Sequence, residues 1–112
     1  MTQTITLDDL RLRLTAGQAT TLVEALPQRY YDDGHLPGAI QIDHDRVRDQ
    51  APVRLPERQA FIVVYCASSS CRNSHQAAAT LVALGYRAVH VFTGGKEAWL
   101  AAGLELEPAR AA

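Results

Sequence analysis

The run "AFIVVYC", from Ala60 to Cys66, constrains the fold more than any other stretch of this chain. Six apolar residues, dominated by Val and Ile, precede a cysteine without interruption. A strand with one wet face alternates apolar and polar residues. An unbroken apolar run of this length suits a strand covered on both faces, as in parallel sheets flanked by helices.

The flanking segments extend that pattern. Thr6 with Asp9 three positions on resembles a capping box, and Leu7, Leu10 and Leu14 then share one helical face until Gly17 stops the helix. Thr21 to Leu26 reads as a buried strand closed by Pro27. "YYDDGHLPGAIQI" is turn-rich, with Gly34, Pro37 and Gly38 leading into a short strand at Ala39 to Ile42. Asp43 to Asp49 is read as a short helix, and "APVRLPERQ" as a loop carrying two prolines. "NSHQAAATLVALGY" reads as a helix with Ala77, Ala78, Leu81, Val82 and Leu84 on its apolar stripe and Gly85 as its cap. "RAVHVF" is a further strand, "TGG" a turn, and "KEAWLAAG" a last helix ending at Gly103. Strands alternating with helices predict an α/β fold with a parallel sheet and right-handed crossovers. Ligands bind such sheets outside the carboxyl ends of the strands, and Cys66 stands at that kind of place.

The chain of 112 residues is expected to form a single domain, 1–112, long enough to bury a core without staples. A net charge of −1 gives no footprint for nucleic acid or an anionic membrane surface. The apolar runs are too short to span a bilayer, and "MTQTITLDDL" lacks the basic start and apolar stretch of a signal peptide. A soluble, cytoplasmic protein is the expectation. Two cysteines in such a chain point to chemistry, metal or burial rather than a disulfide framework.

Both cysteines lie in the span Cys66-Ala67-Ser68-Ser69-Ser70-Cys71-Arg72, between the end of a strand and the start of a helix. A loop that curls here turns successive N–H groups inward, forming an anion-binding nest backed by the helix N-terminus. A thiol at its centre has its ionised form favoured. Arg72 adds a permanent cation suited to an oxyanion, and the three serines permit tight curvature and add donors.

"VVYC", a short loop, a helix with "AA" and "LGY", a strand and then "GGKEAW" resemble the active-site half of a rhodanese-like domain. "GHLPGAIQI" resembles that family's other motif, a Gly-His-aliphatic-Pro-Gly-Ala turn entering a strand. The resemblance implies a small central parallel sheet of about five strands with helices on both faces. It also implies sulfur transfer. Cys66 would attack the outer sulfur of a small anionic donor such as thiosulfate and hold it as a persulfide while sulfite leaves. Cyanide, a thiol or a partner protein's thiolate would then accept it. Ala67, Ser68, Ser69, Ser70, Cys71 and Arg72 would form the anion cradle, and no cofactor is expected. The chain departs from the family pattern at three places. Glu24-Ala25-Leu26 stands where an Asp-Val-Arg run is common, so the ion pair bracing that sheet edge is expected to be missing. The loop has no glycine. Cys71 occupies the position where many single-domain members carry arginine, and Arg72 is one further on.

Cys-x5-Arg is also the spacing of phosphatase and arsenate-reductase loops, including those on the rhodanese fold. That reading needs a general acid from Asp32, Asp33 or Asp43, since the loop has no carboxylate. A non-catalytic interaction module of the same fold is a third reading, disfavoured by the cysteine at the strand end. Cys71 can be a resolving thiol for Cys66, a regulatory cap or a small buried residue. Burial is preferred, because the short Cys-x4-Cys span needs local rearrangement to meet disulfide geometry. Cys66, Cys71 and His75 have tolerable metal-ligand spacing but no evident fourth ligand, so no metal site is expected. His35 is assigned to bracing its turn, His75 to solvent or the pocket rim, and Trp99 with Leu100 to the core under the last helix.

Overall fold

The computed structural model describes residues 2–108. Ten elements follow one another: β1 (Gln3–Thr4), α1 (Leu7–Thr15), β2 (Thr21–Glu24), α2 (Gln28–Asp33), β3 (Ile40–Gln41), α3 (Val47–Arg54), β4 (Phe61–Tyr65), α4 (Asn73–Ala83), β5 (Ala88–Phe92) and α5 (Gly95–Ala101). The strands form one five-stranded sheet in the order β1-β5-β4-β2-β3, and every pairing is parallel.

The unbroken apolar run explains why β4 sits in the middle. Ile62 and Val64 face the layer containing Val47 and Ala51 of α3 and Ala77, Ala78 and Leu81 of α4. Val63 and Tyr65 face the opposite layer, with Leu10 of α1 and Trp99 of α5. Consecutive side chains of a strand point to opposite faces, so a strand buried on both sides needs apolar residues at every position. Burying each large aliphatic side chain contributes roughly 1.5–3 kcal/mol. The α/β architecture with helices on both faces is the one expected from the sequence.

Several elements differ from the sequence expectation. The segment at "YYDDG" contains α2, whose residues are all outside the buried core and so leave no apolar stripe to detect. It is held instead by Gln28 Nε2 donating to Asp32 Oδ1 at 2.8 Å, one turn on. The helix expected at Asp43 to Asp49 is α3, displaced to Val47–Arg54, and it takes in part of the expected proline loop. Val47 and Ala51, one turn apart, are buried and decide the matter. Pro52 lies on the exposed side of that helix, where it gives up one backbone donor. β1 is two exposed residues that become a strand by pairing with His90 and Val91. At α1 the capping Thr6 Oγ1 accepts from Asp9 N at 3.1 Å, as its spacing predicts. Trp99 is buried, but its neighbour Leu100 is exposed rather than part of the core.

Candidate active site

β2 leads to β3 on one side, whereas β4 leads to β5 on the other. The seam between β2 and β4 is therefore the point where the strand order reverses, and Cys66 ends β4 there. Cys66 is 1% exposed. Its sulfur lies 3.5 Å from the hydroxyl oxygen of Ser74, which is itself buried in the first turn of α4.

Cys66 and Cys71 are joined as a disulfide, with Cα atoms 6.4 Å apart. This corrects the preference for Cys71 as merely buried. The rearrangement the short span needs is supplied by a turn in which Cys71 N donates to Ser68 O at 3.1 Å, returning position 71 to the strand end. A bonded Cys66 sulfur carries no proton, so the Ser74 hydroxyl is the donor between them. The turn forms without left-handed backbone, since no described non-glycine residue has positive φ. Ser68 and Ser70 share a hydroxyl hydrogen bond at 3.0 Å. Among the described residues, the N–H groups of Ala67, Ser68, Ser69, Ser70 and Arg72 find no protein acceptor. Arg72 is exposed at the N-cap of α4 and makes no ion pair among the described residues.

The start of α5 closes over the carbonyls at the strand end. Lys96 N donates to Cys66 O at 3.0 Å and Glu97 N to Ala67 O at 2.9 Å. This approach requires Gly95. Its φ is +59°, and an added Cβ would run into the Cys66 carbonyl oxygen and lie 3.0 Å from the Ala67 carbonyl carbon.

Beneath the loop is a buried polar cluster. The parallel register pairs Glu24 with Tyr65, the residue before Cys66. Tyr65 OH donates to Glu24 Oε1 at 2.9 Å and accepts from Leu36 N at 3.0 Å. Lys96 Nζ stands 3.0 Å from Glu24 Oε2 as an ion pair and donates to Tyr30 O at 2.7 Å. The expected missing ion pair is thus replaced by one between Glu24 and α5. Burial raises the Glu24 pKa above its ordinary 4.5, an effect the Lys96 bond and charge only partly offset. Burial, with the Glu24 charge behind it, pushes the Tyr65 hydroxyl far above its ordinary range and keeps it a donor.

Of the residues singled out from the sequence, Cys66 and Cys71 come together, Ser68 and Ser70 bond to each other, and Arg72 and His75 stay at the surface. His35 braces its turn as expected. It stacks on Tyr31 with ring centroids 3.8 Å apart, and its Nδ1 lies 3.1 Å from Tyr31 O. Ser74, Glu24 and Lys96 were not singled out as site residues. Ser74 has a readable signal: it is the polar member of the buried row Ser74, Ala77, Ala78, Leu81.

This arrangement defines a class, a doubly covered parallel sheet with a cysteine loop between its central strand and a helix N-terminus. The Rhodanese-like domain model matches residues 6–102, and the chain belongs to the rhodanese-like family. It is 32% identical over 82 residues to the thiosulfate sulfurtransferase GlpE of Pseudomonas fluorescens (strain SBW25), covering 73% of this chain and 72% of that one. The Alr3790 protein of Anabaena sp. superposes with a TM-score of 0.83 at 30% identity, covering 93% of this chain and 91% of that one. The BH2092 protein of Bacillus halodurans gives a TM-score of 0.85 at 26% identity, covering 95% of this chain and 77% of that one. No helix among the described residues is long and apolar enough to cross a membrane.

Proposed function

We propose that this protein is a sulfurtransferase that carries sulfane sulfur as a persulfide on Cys66. The observation that carries the reading is the setting of Cys66: at the end of the central strand, against the Ser74 hydroxyl, below a loop with unpaired N–H groups. Membership of the rhodanese-like family and similarity to a thiosulfate sulfurtransferase support it. The reduced thiolate attacks the outer sulfur of thiosulfate or a similar small anionic donor. The sulfur–sulfur bond of the donor breaks, sulfite leaves, and the Ala67–Arg72 loop holds the anionic persulfide through its N–H groups. A nucleophilic acceptor (cyanide, a small thiol or a partner protein's thiolate) takes the sulfur in a second displacement. Of the three carboxylates that oxyanion hydrolysis on the same loop would draw on, Asp32 is engaged by Gln28 and Asp43 by His44, and Asp33 is exposed at the end of α2.

Intact-mass analysis of the reduced protein after thiosulfate tests the reading. With Cys71 replaced by serine, so that the added sulfur stays in place, the chain is expected to gain the mass of one sulfur atom, and Cys66→Ser to gain none. Full thiosulfate:cyanide transfer by Cys66→Ser would overturn it.

A further inference from the structure

The Cys66–Cys71 bond joins two unlike partners. Cys66 is 1% exposed, whereas Cys71 is half-buried at the loop rim, the member of the pair that solvent reaches. The Ser68–Cys71 turn brings the second sulfur onto the first, and the chain has no third cysteine to compete with it. Any electrophilic sulfur formed on Cys66 therefore has a thiol built in beside it.

We propose that Cys71 is a second catalytic residue, which discharges the Cys66 persulfide as hydrosulfide and makes the protein a reducer of sulfane sulfur at the expense of a dithiol. The inference rests on the sulfurtransferase reading above. In the first step the Cys71 sulfur attacks Cys66 Sγ. The bond from Cys66 Sγ to the sulfane sulfur breaks, and the Cys71 proton leaves with it as HS⁻. The sulfane sulfur gains two electrons, and each cysteine sulfur gives up one on forming the disulfide. In the second step a dithiol reductant attacks the Cys71 sulfur, the one at the surface, and expels Cys66 as the thiolate. A second attack within the mixed disulfide frees Cys71 and leaves the reductant as its own disulfide. Both cysteines are then thiols again, carrying the two hydrogens of the dithiol.

The site favours this direction of reopening. Exchange is fastest when the exposed sulfur is attacked and the departing thiolate is stabilised. Cys66 is shielded from attack, and the Ser74 hydroxyl stands 3.5 Å from its sulfur as the donor that stabilises the departing thiolate. Reopening at Cys71 thus regenerates the nucleophile for the next donor. The position at which related loops carry arginine here carries the internal acceptor.

A single-turnover experiment without oxygen tests this. Reduced protein, freed of reductant, is mixed with one equivalent of thiosulfate, and hydrosulfide and intact mass are followed together. The wild type is expected to release one hydrosulfide per chain and to finish two hydrogens lighter than it began. Cys71→Ser and Cys71→Ala are expected to stop one sulfur atom heavier, releasing hydrosulfide at least about a hundredfold more slowly, because an intramolecular attack has been removed. A wild-type chain that keeps its added sulfur, or variants that release hydrosulfide as fast as the wild type, would overturn the inference and leave the persulfide reading standing. If neither wild type nor variants take up sulfur, the persulfide reading itself fails and the inference falls with it.

Discussion

Ser74 is the least conspicuous residue of the site and the one whose loss is most informative. Its hydroxyl faces Cys66 Sγ at 3.5 Å from the first turn of a helix whose other inward positions are Ala77, Ala78 and Leu81. A hydrogen bond to a charged group is worth about 1.5–3 kcal/mol, and about 1.4 kcal/mol is tenfold in an equilibrium. Replacing Ser74 by alanine removes the donor and leaves the shape of the helix face unchanged. In a Cys71→Ser background, which leaves Cys66 as the sole thiol, Ser74→Ala is expected to lower the alkylation rate of Cys66 by iodoacetamide at neutral pH by about tenfold or more. Far-UV circular dichroism should be unchanged. An unaltered alkylation rate would show that the hydroxyl does not act on the thiolate. Gly95 makes the complementary point at this scale. Its missing side chain lets the α5 backbone reach the carbonyls of Cys66 and Ala67, so part of the site is built by an absence of atoms.

Among the elements, β2, β4 and α5 are tied together under the loop by Glu24, Tyr65 and Lys96. Because burial raises the Glu24 pKa in the folded state, the sign of its pH dependence follows. Its contribution to stability is fully present below about 4.5, where both states are protonated, and is lost as pH rises through the folded-state value. Glu24→Gln cannot titrate. The stability of the wild type relative to Glu24→Gln, from urea unfolding between acid and neutral pH, is therefore expected to fall as pH climbs from 4.5 and then to level off. A rise over that range would mean that Lys96 outweighs burial. The same elements show what the sequence makes legible. β4 is readable because both faces of the strand are buried and each position reports it. α4 is readable because its stripe is apolar, and the place of Cys66 just past β4 because the apolar run leads straight into it. α2 has no buried residue and β1 has two exposed ones, so neither leaves a local pattern. Glu24 and Lys96 meet only through the fold, and the Cys66–Cys71 bond depends on a turn that the serines do not announce.

On the scale of the whole molecule, the chain returns after α5 to the turn that the GHLPG motif forms. His35 and Glu107 pair in an antiparallel bridge, His35 N to Glu107 O at 2.9 Å and Glu107 N to His35 O at 2.8 Å. Glu107 Oε1 accepts from Gly38 N at 2.9 Å, and Glu105 O accepts from the buried Trp99 indole, also at 2.9 Å. Leu104 and Leu106 lie against the core layer that holds Tyr65 and Trp99, and Leu106 lies where a side chain on Gly34 would reach it at 3.2 Å. The strap therefore covers the same layer that supports Tyr65, the residue before Cys66. Ending the chain after Gly103 removes these bonds, that of the Trp99 indole among them, each a net loss of about 0.5–1.5 kcal/mol. The apolar cover given by two leucines goes with it. Such a truncation is expected to unfold at a clearly lower urea concentration and to bind a hydrophobic dye at its exposed layer, while Glu107→Ala, which spares the backbone bridge, should lose less. Equal stability of truncated and full chains would show that the layer under the cysteine loop stands without its strap.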